Sequence, residues 1–105
     1  MLLQANQVLE VLDKQDRSIG RLTLETKEGN LLSGKFSPDP AFSQVEAIFR
    51  GFEEAATSQA LGAVEKFDRA IGNLGLHLRQ NSQCLEIHDV QIWADGVMSC
   101  RLAQP

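Results

Sequence analysis

The residues able to do chemistry in this chain are few, and several crowd into one stretch. Residues 86–102, EIHDVQIWADGVMSCRL, hold one of the two histidines with an aspartate beside it, the only tryptophan and one of the two cysteines. His88 and Asp89 are the residue types that a general base and its orienting carboxylate require. On a regular strand adjacent side chains point to opposite faces, so Asp89 can orient His88 only where the strand is irregular. The apolar pattern predicts such an irregularity. Leu85 and Ile87 are odd-numbered while Val90 and Ile92 are even-numbered. All four reach one core only if a residue is inserted at His88–Asp89. A β-bulge does this, and bulges re-aim side chains beside functional sites.

Other features weigh against catalysis. The second histidine, His77, has no companion at a recognisable spacing, and no HExxH, CxxC, GxSxG or phosphate-loop pattern is present. The chain therefore offers no metal-ligand set and no cofactor signature. Cys100 reads as a small core hydrophobe. Cys84 reads as a thiol near a turn, with no basic cluster to activate it. Both are expected to be reduced. The helical carboxylates Glu46, Glu53, Glu54, Glu65 and Asp68 read as solvated faces.

Binding chemistry is better represented. A three-residue loop Ala94-Asp95-Gly96 sorts the surrounding hairpin cleanly: Trp93 opposite Val97, Ile92 opposite Met98, Val90 opposite Cys100, with Asp89 facing Arg101. A two-residue Asp95-Gly96 turn would set Gln91 against Cys100, since a one-residue slip swaps faces. The face away from the core then carries Asp89, Gln91, Trp93, Val97, Ser99 and Arg101. A large aromatic there is a docking anchor for a partner. By the same parity reasoning, a loop Lys27-Glu28-Gly29 sets Leu24 opposite Leu32 and Gly20 opposite Phe36. Arg21 and Lys35 then face each other on the same outer surface, with Thr23 and Ser33 between.

The elements that position these residues follow from periodicity. Phe42, Val45, Ile48, Phe49, Phe52 and Ala56 recur at three and four and predict a helix, with Asp39 as N-cap and Pro40 at its first position. Ser43 and Glu46 offer an alternative capping box. Leu61, Val64, Phe67, Ile71 and Leu74 predict a second helix after a break near Thr57–Ser58. One long bent helix is the alternative. Residues 7–13 read as a strand, with a helix as the alternative, and residues 76–79 as a further strand turning at Asn81–Ser82.

The whole is expected to be one α+β domain over residues 1–105: a two-layer sandwich, an antiparallel sheet of five to six strands with two helices on one face, ordered β-β-β-α-α-β-β-β. A length of 105 residues, 43% hydrophobic and 23% charged, suits a single core. The net charge of −4 argues against wholesale binding of nucleic acid or anionic membrane. The N-terminus lacks the features of a signal peptide, and no apolar run approaches the ~18 residues of a membrane span. A cytoplasmic protein is therefore expected.

The function these features favour is a non-catalytic protein–protein interaction module or homodimer. Its contact residues would be Trp93, Val97, Arg101, Arg21 and Lys35 on the uncovered sheet face, and its partner another protein or a second copy. Two alternatives remain: a binder of an anionic ligand or single-stranded nucleic acid on that face, and an enzyme built on His88 and Asp89.

Overall fold

The computed structural model describes residues 3–103. Strands β1 (Val8–Leu12), β2 (Ser18–Glu28) and β3 (Leu31–Pro38) come first. A 3₁₀ turn (Pro40–Gln44) and helices α1 (Glu46–Thr57) and α2 (Leu61–Gly72) follow. Strands β4 (His77–Gln80), β5 (Gln83–Ile92) and β6 (Val97–Leu102) come last.

The mixed α+β content agrees with the sequence, but the expected open sandwich does not form. The sheet closes into a six-stranded barrel, β1-β2-β3-β6-β5-β4, because β1 pairs antiparallel with β4 as well as with β2. Closure buries the apolar face of each strand against the other strands, so no helical layer is needed to cover it. Leu9, Val11, Leu22, Leu24, Leu32, Leu78, Met98 and Cys100 are all fully buried there. Each such side chain contributes about 1.5–3 kcal/mol by leaving water. Gly34 is buried too, and a Cβ on it would fall on the carbonyl oxygen of Thr23 across the ladder. A missing side chain of this kind lets strands bend closely.

The helices instead close one end of the barrel, the end where β3 finishes and β4 begins. Phe42 bridges the strands to this cap, its ring 5.0 Å from Phe36 and 5.9 Å from Phe49. Val45, Phe49 and Ile71 join the same buried cluster. The two helices separate where the sequence suggested: α1 ends at Thr57, and Gln59 turns the chain with φ +58°. Asp39 stands at the N-cap with Pro40 after it, but of the 3₁₀ turn rather than of α1, and its side chain makes no capping bond. Its carboxylate accepts a hydrogen bond from Ser18 Oγ at 2.5 Å and lies 3.7 Å from Arg21, which ties the start of β2 to the helical segment. Within α1, Arg50 pairs with Glu53 rather than with Glu46 or Glu54.

The first hairpin also departs from expectation. Leu22 lies opposite Phe36, Leu24 opposite Gly34, and Thr26 opposite Ser33, with a register shift at Glu25. The turn is the two-residue Gly29-Asn30, with Gly29 at φ +62°. The bulge restores the parity that a two-residue turn would otherwise break. As a result Arg21 faces Ser37 and Lys35 faces Thr23, so the two cations are not directly opposed. No described helix is long and apolar enough to cross a membrane.

Candidate functional site

The irregularity expected at His88–Asp89 is present. Ile92 pairs with Met98 and Gln91 with Ser99, but His88 pairs with Arg101 and Ile87 with Leu102, so the register slips by one residue between them. Asp89 carries the extra residue, in the left-handed region at φ +52°. Aspartate tolerates that conformation better than most residues. The loop Ala94-Asp95-Gly96 closes the hairpin as expected: Trp93 accepts from the Gly96 N–H and donates to Val97 O. The expectation that Asp89 lies directly opposite Arg101 is corrected, since the bulge hands that position to His88.

The bulge brings the two residues together at the surface. His88 Nδ1 lies 3.2 Å from Asp89 Oδ2, and Arg101 Nε lies 3.9 Å from the same oxygen. Both side chains of the His–Asp pair are more than half exposed. Arg101 also donates from Nη1 to Asn30 Oδ1 at 3.1 Å. Among the described residues no three His, Cys, Asp or Glu side chains gather as metal ligands would.

Beside the bulge lies a cleft of about 260 Å³ lined by Asp68, Ile71 and Gly72 of α2, by Gly75 and Leu76, and by residues 87–90 of β5. It exists because β4 pairs only with Gln83–Glu86 of β5, leaving the next stretch of that strand without a neighbour on that side. Nothing in the sequence pattern announced Asp68 as part of this site. Its place there depends on how α2 leans against the bulge.

The other residues singled out from the sequence spread around the outer wall. Arg21 is 3.7 Å from Asp39. Lys35 is exposed and makes no ion pair among the described residues. Lys35 pairs with Val97, and Arg101 with Leu31 four positions along the same ladder, so the two cations stand about 13 Å apart at ~3.3 Å per residue. With Arg21 and Arg101 each beside a carboxylate, the three cations do not form one anion site. Trp93 is not free on the outer face either. Phe52 of α1 meets its indole edge-on at 6.2 Å between centroids, and Arg50 and Glu53 of the same helix bond to Ile92 O and the Ala94 N–H.

One row on the wall is continuous. Val8 pairs with Thr23, Thr23 with Lys35, and Lys35 with Val97, so four neighbouring strands contribute one residue each. Val8 is 54% and Val97 38% exposed. No protein-family model, no curated protein sequence and no solved structure matches this chain.

Proposed function

We propose that the chain is a non-catalytic protein-interaction module that receives another protein on the outer wall formed by β1, β2, β3 and β6. The observation that carries this reading is the row Val8, Thr23, Lys35, Val97. Two exposed valines flank Thr23 and Lys35, whose amine has no salt-bridge partner among the described residues. The row runs roughly 14 Å along the wall, three strand spacings of ~4.8 Å. Covering the valines supplies apolar area, and a carboxylate opposite Lys35 supplies orientation.

These strands are all paired on both sides, so the partner engages side chains rather than adding a strand to a free edge. The charge pattern favours an unlike partner over a second copy. A two-fold interface centred on this row would set Lys35 of one copy near Lys35 of the other.

Native mass spectrometry of the chain purified at low salt from its own cells tests the reading. The expected result is a complex heavier than the chain by another polypeptide, lost in Val97→Asp and in Lys35→Glu while circular dichroism stays unchanged. A bare chain, or an adduct of a nucleotide or metal, would overturn it. An integer multiple of the chain mass would replace it with self-association.

A further inference from the structure

We infer that the cleft beside the β5 bulge binds an organic cation, a primary ammonium or guanidinium group carried on an apolar stem. This goes beyond the interaction reading and uses none of the outer-wall row. The volume of about 260 Å³ has room for one long side chain or a small amine. It falls below the ~300–1,000 Å³ typical of pockets for drug-sized ligands. The floor is apolar: Ile71, Leu76, Ile87 and Val90 are each at most 9% exposed.

The rim carries an acid on two sides, with His88 beside one of them. Asp68 comes from α2 and Asp89 from the bulge. Asp68 makes no hydrogen bond or ion pair among the described residues. His88 and Arg101 both approach Asp89 at Oδ2. Its Oδ1 accepts nothing among the described residues. Arg101 is held toward the wall by Asn30, so it does not fill the cleft. The last turn of α2 borders the cleft as well, and a helix C-terminus carries partial negative charge.

An anion entering here would meet two carboxylates and a helix C-terminus. A hard divalent ion would lack the six or so oxygen ligands it prefers. A stem lying on Ile71, Leu76 and Val90 with its cationic head between Asp68 and Asp89 satisfies both the floor and the rim. The head group is shared by free amines and by the lysine or arginine side chain of a protein.

Titration of the full chain with n-butylammonium, followed through backbone amide NMR shifts, tests the site. The expected result is a saturable shift at Gly72, Gly75 and residues 88–90, weaker by about tenfold (about 1.4 kcal/mol) for n-butanol and weaker still for butyrate. Asp68→Asn and Asp89→Asn should each weaken the ammonium about as much. Asparagine also tolerates positive φ, so the bulge persists in the second variant and the rest of its spectrum should be unchanged. Blocked lysine methylamide binding as well as butylammonium would assign the cleft to a protein side chain, and its exclusion would assign it to a small free amine. No saturable shift with butylammonium, equal binding of butanol, or undiminished binding by both variants would overturn the proposal. None of these outcomes bears on the Val97 and Lys35 experiment.

Discussion

The Phe52 ring stands edge-on to the Trp93 indole with 6.2 Å between their centroids, and this contact joins α1 to the loop between β5 and β6. Arg50 and Glu53 reinforce the same joint by bonding to Ile92 O and to the Ala94 N–H. The tryptophan therefore helps fasten the helical cap to the barrel. Trp93→Ala should lower stability by about 1–3 kcal/mol, less than the ~3–5 kcal/mol of a fully buried aromatic because the indole is only half-buried. A double-mutant cycle with Phe52→Ala, read by urea denaturation, should return a coupling of about 0.5–1.5 kcal/mol. Zero coupling would mean that the two rings are neighbours without mutual stabilisation.

Asp13 organises the turn between β1 and β2. Its Oδ1 accepts the N–H groups of Gln15 and Arg17 at 2.9 and 3.0 Å, and its Oδ2 accepts Arg17 Nε at 2.9 Å. Burial on its own raises the carboxyl pKa, but these donors and the Arg17 charge outweigh it and hold the group below its ordinary 3.8. Because the folded value is the lower one, the charged carboxylate stabilises the fold fully above about pH 4. That contribution fades as pH falls through the folded pKa. Asp13→Asn should cost about 1–3 kcal/mol at pH 7 and flatten the acid side of the stability curve below about pH 4. Parallel acid limbs in the two proteins would contradict this.

The two thiols should differ sharply in reactivity. Cys84 is exposed, whereas Cys100 is buried in the barrel, and burial pushes its thiol up to about 12. The thiolate is the reactive form, so Cys100 is inert at neutral pH. Iodoacetamide should label one site per native chain and two in denaturant, as counted by intact mass. Rapid native labelling of a Cys84→Ser variant would show that the barrel opens readily.

Gly34 lies against the β2 backbone beside the Glu25 bulge, with no room for a Cβ. Gly34→Ala forces a methyl group onto the Thr23 carbonyl, which is backbone and cannot turn away. The expected cost is about 1–3 kcal/mol or more, seen as a lower urea midpoint with an unchanged slope. Gly62→Ala on α2, with open space around it, serves as the control and should be neutral to mildly stabilising.

The sequence by itself determined what neighbours in the chain can decide. The alternation of Leu85 and Ile87 against Val90 and Ile92 required an inserted residue at His88–Asp89, and the bulge is there. Gly96 set the three-residue loop after Trp93, and the two apolar stripes placed a helix on each side of Thr57–Ser58. The bulge at Glu25 was invisible because residues 25–30 carry no apolar side chain whose parity could reveal a slip.

Tertiary structure alone decided the closure of the sheet, which rests on β1 meeting β4 more than sixty positions away. An apolar strand face looks the same whether helices or other strands cover it, so period-2 alternation cannot distinguish a sandwich from a barrel. The buried glycine Gly34 was a partial hint toward tight curvature. The docking of α1 on Trp93 and the gap that β4 leaves beside the β5 bulge follow from that closure. Each depends on where a distant element comes to rest, which is why Asp68 entered the candidate site only once the fold was assembled.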